Sequence, residues 1–192
     1  MTYRRLYNAY ESIKEHLMTK AKDSTQKQKA ENNHFDTDKM ADIIITLVQK
    51  YRDNEASYNL VKGMIKHLIR DESDYIVPSR KSEKVMALEK KYFPLNGYTR
   101  KEIYSENREL SKKIIIEHGF PINTAIEEIT KSKNIDAVKV ILDKITESLI
   151  YITKDDDKIL VEKGFSKSRG EGYKKAYDVC RINLVDNKQL KS

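Results

Sequence analysis

Apolar residues recur at three- and four-residue spacing through most of this chain, the period of helices that bury one face. Tyr3, Leu6, Tyr7, Tyr10, Ile13 and Leu17 make the first stripe, and three of its members are tyrosines, which suit a half-wet interface. Residues 19–38 are polar and read as a connector. Asp38 then caps a helix with the stripe Met40, Ile43, Ile44, Leu47, Val48 and Tyr51. Ser57 caps the next, which carries Tyr58, Val61, Met64, Ile65, Leu68 and Ile69. The link between these two is short, so they should form an antiparallel hairpin.

Pro78 interrupts the pattern, because it forbids helix at its own position and disfavours it at Val77. A short helix over 81–93 ends at Pro94 and the Asn96-Gly97 turn. Thr99 and Glu102 form a capping box, opening a helix that carries Ile103, Leu110, Ile114 and His118 inward. Gly119 ends it with positive φ and Pro121 blocks resumption. Helices follow over 124–131 and, capped by Asn134, over 135–147. Residues 149–153 switch to strand character, and Thr153 caps a short helix ending at Gly164. Alternation over 176–185 reads as a second strand, antiparallel to the first. The fold class is α+β and predominantly helical. It comprises an N-terminal helical bundle (1–75), a basic helix-helix-strand-helix-strand module (79–186) and a tail (187–192), or all of these as a single domain.

Charge narrows the classes of function. Thirty-seven basic residues face thirty acidic ones over 192 positions, a net charge of +7 with pI near 9.2. Such a surface attracts polyphosphate through counterion release. The 28 Lys against 9 Arg, with 21 Ile, also fit an A·T-rich coding bias, so lysine abundance alone carries little weight. One cysteine excludes an internal disulfide framework, and no CxxC or Cys/His cluster offers a zinc site. No apolar run approaches the ~18 residues of a membrane span. The opening Arg pair is not followed by an apolar stretch, so a signal peptide is not expected and the default location is cytoplasmic.

Two features point to nucleic acid, with DNA as the first expectation. Residues 121–153 follow the element order of a winged helix-turn-helix, which places Lys133, Asn134, Asp136 and Lys139 early on the second helix, toward base edges. Residues 163–175 put Lys163, Lys167, Arg169, Lys174 and Lys175 among three glycines, Phe165 and Tyr173, a combination suited to a phosphate backbone or an unstacked base. A second basic stretch, 78–101, ends in Arg100 and Lys101 and would extend that surface if the two converged.

Two other classes compete. A Mg²⁺-dependent nuclease or phosphodiesterase would use His118 to activate water, with its pKa raised by a helix C-terminus. Asp156 and Asp157 would hold the metal, and Lys158 or Arg169 would face the developing charge. Without Mg²⁺ chemistry no cofactor is expected. A protein-binding adaptor, such as an inhibitor of a host enzyme encoded by a phage or mobile element, would dock through Tyr3, Tyr7 and Tyr10. The same helix could hold a homodimer.

Overall fold

The computed structural model describes residues 36–165 and 172–187. The predicted first helix, with Tyr3, Tyr7 and Tyr10, lies outside them, and so do Lys167, Arg169 and most of the tail. Among the described residues the order is α1 (Thr37–Arg52), α2 (Tyr58–Ser73), β1 (Arg80–Ser82), α3 (Glu83–Lys91), α4 (Arg100–Glu106), α5 (Arg108–Ser111), β2 (Ile114–His118), α6 (Ile122–Lys131), α7 (Ile135–Glu147), β3 (Leu149–Thr153), α8 (Lys154–Glu162), α9 (Tyr173–Val179) and β4 (Leu184–Asp186). The architecture is α+β and mostly helical, with a four-stranded mixed sheet in the order β2-β3-β1-β4.

Helix starts follow side-chain caps. The Ser57, Thr99, Asn134 and Thr153 oxygens each accept from a backbone N–H three residues on. Asp36, not Asp38, caps α1. The buried stripes of α1 (Met40, Ile44, Leu47, Val48) and α2 (Val61, Ile65, Leu68, Ile69) meet those of α6 (Ile126, Ile129) and α7 (Val138, Leu142, Ile145) in one helical core. The expected boundary at residues 75–79 therefore does not separate two cores, since half of this bundle comes from residues 122–147.

The helical hairpin α6–α7 is an insertion between two neighbouring strands. β2 and β3 pair antiparallel, Ile114 opposite Thr153 and His118 opposite Leu149. The neck of the insertion is closed by Gly119 N–H donating to the Ser148 carbonyl (3.0 Å) and Phe120 N–H to the Ser148 hydroxyl (2.9 Å). Gly119 does not adopt positive φ as expected. A Cβ there would lie 2.8 Å from the Tyr173 ring and 3.0 Å from the Ser148 carbonyl, so the requirement is for space.

β3 is buried at every residue, and its alternation divides two further cores. Tyr151 faces Val85, Leu95, Ile103, Leu110 and Ile114, under α3, α4 and α5. Ile150 and Ile152 face Leu160, Ala176, Tyr177 and Cys180, under α8 and α9. The sheet thus lies between an α3–α5 layer and an α8–α9 layer.

Three expectations are corrected. The helix from Thr99 to His118 is two short helices and a strand. Asn107 leaves helical backbone (φ −144°), caps α5 with its side chain, and is followed by the β-branched run Ile114-Ile115-Ile116 in β2. The expected strand over 176–185 is the end of helix α9 (to Val179), a turn and the start of β4 (from Leu184). Ala176, Tyr177 and Cys180 bury one helical face, Arg181 turns the chain at φ 54°, and the short β4 pairs with β1 instead of β3. The winged-helix order fails for the same reason. β3 is an interior strand between β2 and β1, parallel to β1, and it leads into α8, so no hairpin follows α7.

Candidate nucleic-acid interface

The sheet keeps the two predicted basic stretches apart. Lys163, Lys174 and Lys175 are exposed in the α8–α9 layer, whereas Arg100 and Lys101 belong to the α3–α5 layer on the other face. Within 78–101 the stretch itself divides. Arg80 donates to the Tyr173 hydroxyl (2.7 Å), on the α9 side. Lys81 is buried beside Glu89 (2.7 Å) and Asn96 (2.9 Å), where it holds the turn after α3. Lys133 is exposed, but Lys139 is tied to Asp38 at 2.7 Å. The outward positions of α7 include Asp136, Asp143 and Glu147, which oppose a phosphate backbone.

What the fold assembles instead is a row of alternating aromatic rings and cations on the α3–α5 layer. The reciprocal cap between Thr99 and Glu102 starts α4 and takes Glu102 out of the outward face. Arg100 is paired with Asp74 at 3.0 Å, and Lys101 N–H donates to the Asp74 carbonyl, which sets α4 against the end of α2. The Lys101 ammonium bonds the Tyr75 hydroxyl and lies 4.3 Å from that ring's centre. One turn on, Tyr104 is 57% exposed, and the Arg108 guanidinium sits 5.9 Å from its ring. At the far side of the layer, Tyr92 has the Lys91 ammonium at 5.2 Å and that of Lys113 at 5.9 Å.

The electrostatics of this layer are lopsided. Residues 83–113 hold eight cations, of which Lys84 is paired with Asp156, and five carboxylates, of which Glu106 is exposed. Glu89 is committed to Lys81, Glu102 to the cap, and Glu109 to Lys112, whose hydrogen bond and charge hold the Glu109 carboxyl below its usual range. Lys90, Lys91, Lys101, Arg108 and Lys113 make no ion pair with a described carboxylate. Of these five, the Lys101 ammonium is hydrogen-bonded to the Tyr75 hydroxyl. Lys101 and Tyr104 lie one turn apart on α4, and Arg108 follows beyond the break at Asn107, so its approach to the Tyr104 ring depends on that break and not on a continuous helical face.

The predicted hydrolytic residues are dispersed. His118 is at the end of β2 beside Leu149, whereas Asp156 is in the first turn of α8, just past Thr153 at the opposite end of the β2–β3 pair. Four residues of strand separate these ends by about 13 Å. His118 sits on a strand, so no helix terminus raises its pKa. Burial, with the Arg70 charge as a lesser cause, pushes it down to about 4. The Ser73 hydroxyl donates to the Ile69 carbonyl (2.6 Å), so the 2.9 Å contact to His118 Nε2 is a ring N–H donating to the Ser73 oxygen. That geometry ties α2 to β2 and leaves the Ser73 hydroxyl proton committed.

Asp156 is buried at a junction of helix starts. Its Oδ2 accepts from the Ser82 hydroxyl (2.7 Å) and from Thr153 N–H (3.2 Å), and its Oδ1 lies 2.9 Å from the Lys84 ammonium. Burial opposes its charge, but the bonds from Lys84, Ser82 and Thr153 outweigh that and hold the carboxyl below its usual range. Oδ2 is therefore saturated by protein donors, whereas Oδ1 has the Lys84 charge within ion-pair distance but no aligned hydrogen bond. Asp157 is half-buried and desolvation raises its pKa, while Lys158 is exposed, with Glu162 at 3.9 Å. No group of three His, Cys, Asp or Glu side chains that could hold a metal ion occurs among the described residues. No described helix is long and apolar enough to cross a membrane. Comparison with protein-family models, curated proteins and solved structures finds nothing that matches this chain.

Proposed function

We propose that this protein binds nucleic acid, with the α3–α5 layer holding the phosphate backbone. The observation that carries the reading is the group Tyr75, Lys101, Tyr104, Arg108, in which cations paired with no described carboxylate lie against aromatic rings. Phosphate contacts require accessible cations, and Arg and Lys held against ring faces lose less freedom on binding than solvated ones. Lys90, Lys91 and Lys113 extend the positive field beside Tyr92.

Fluorescence anisotropy with a labelled oligonucleotide tests the reading. Engagement of ~5 phosphates predicts binding at ~50 mM salt that weakens roughly 100-fold by ~200 mM. The double variant Lys101→Glu/Arg108→Glu should lose most of that affinity while melting like the parent protein. If the parent chain does not bind at ~50 mM salt, or if the charge-reversed variant binds equally well, the α3–α5 layer is not the interface.

A further inference from the structure

Resting on that reading, we propose that the nucleic acid taken by the α3–α5 layer is single-stranded, and that Tyr104 is a platform for an unpaired base. A duplex offers its interior to a helix long enough to lie in the major groove, or to a β-ribbon. This layer has neither. α3 has nine residues, α4 seven and α5 four, with the chain turning at Asn107 between the last two, and all are shorter than the thirteen-residue α7. α7, the helix of recognition length, belongs to the bundle core on one side and shows Asp136, Asp143 and Glu147 on the other. No hairpin follows it to touch the backbone, since β3 is interior to the sheet.

A single strand has different needs, namely cations that track phosphate and ring faces on which bases stack. Tyr104 is the most exposed large hydrophobic side chain among the described residues, and it lies within one row between Lys101 and Arg108. Arg108 over the ring adds the cation–π partner common at such platforms. Tyr75 and Tyr92, both half-buried beside lysines, add two further rings with cations against them. Stacking addresses the π-face that every base shares, so the binding should be tolerant of sequence.

The chain contains no tryptophan, which gives the test a clean probe. Full-length Tyr104→Trp should have its lone indole emission quenched by a single-stranded oligonucleotide of about 15 nucleotides, and not by a duplex of the same length. By anisotropy at ~50 mM salt the single strand should bind at least roughly tenfold tighter than the duplex. Tyr104→Ala should lose about tenfold of that affinity and Tyr104→Phe should keep it, on the usual worth of one stacked base. Equal or tighter duplex binding, an unquenched indole, or an unaffected Tyr104→Ala overturns the single-strand inference while leaving backbone binding in place. Absence of binding to either oligonucleotide removes the underlying reading as well.

Discussion

At the residue scale, His118 shows how position in the fold sets chemistry. The same imidazole would be favoured as a cation at a helix C-terminus. On β2, partly buried against Ser73 and near Arg70, it is held neutral, with its pKa pushed down to about 4 from an ordinary value of 6.5. Since the folded value lies below the unfolded one, the unfolded chain binds the extra proton first. His118's contribution to stability is therefore whole above pH ~6.5 and is lost as the pH falls toward 4. We expect that loss to reach roughly 2–3 kcal/mol in urea titrations compared between pH 7 and pH 4.5. A His118→Gln protein, with an amide able to donate to Ser73, should show a shallower dependence over that window; an unchanged slope would place the titration elsewhere. Lys81 makes a similar point. Its place in a basic stretch suggested a partner outside the chain, yet its ammonium is buried between Glu89 and Asn96. A one-dimensional charge count cannot distinguish a cation facing solvent from one already neutralised inside.

At the scale of elements, the informative feature is the junction of β1–α3 with β3–α8. β1 and β3 run parallel, each passes directly into a helix, and the two helix caps are linked through one carboxylate. Asp156 completes the Thr153 capping box, accepts from the Ser82 hydroxyl that caps α3, and pairs with Lys84 on α3. Asp156→Ala should thus uncouple two helices at once and cost about 2–3 kcal/mol, from the lost capping bond and the charge-assisted bond from Ser82, with Lys84 returning to solvent, as read from the urea midpoint. Asp155→Ala, on the exposed side of the same turn, should cost under about 1 kcal/mol. If the two substitutions are equally mild, the junction does not bear the stability assigned to it. Three aspartates in the first turn of a helix compensate its dipole as readily as they suggest metal ligands, and the local pattern is the same for both. Two of the partners of Asp156, Ser82 and Lys84, arrive from more than 70 positions away.

At the scale of the molecule, the bundle is discontinuous in the chain. The hairpin inserted between β2 and β3 supplies Ile126, Ile129, Val138 and Leu142 to the core begun by α1 and α2. A fragment of residues 76–192 would therefore keep its sheet but expose one apolar face of α6–α7. We expect it to bind a hydrophobic dye and to unfold without a sharp transition, whereas the full chain unfolds cooperatively. A fragment with a sharp native-like transition and no dye binding would restore the division at 75–79. The same long-range architecture splits the 78–101 stretch, leaving Arg80 on the α9 side and Lys81 buried, and gathers Tyr75, Tyr92 and the α4–α5 cations on the other face.

By itself the sequence determined what depends on neighbours three or four residues apart. The helical stripes of α1, α2, α6 and α7, the caps at Ser57, Thr99, Asn134 and Thr153, the strand at 149–153 and the mainly helical α+β class were all legible, because side-chain spacing and local hydrogen bonding specify them. Tertiary structure decided where local preference was balanced. The Ile114–His118 run and residues 173–186 took their form from pairing with β3 and β1 and from packing on Ile150 and Ile152. It also decided which charges face solvent, since an ion such as Lys81 or Asp156 is neutralised by a group that only folding brings alongside it.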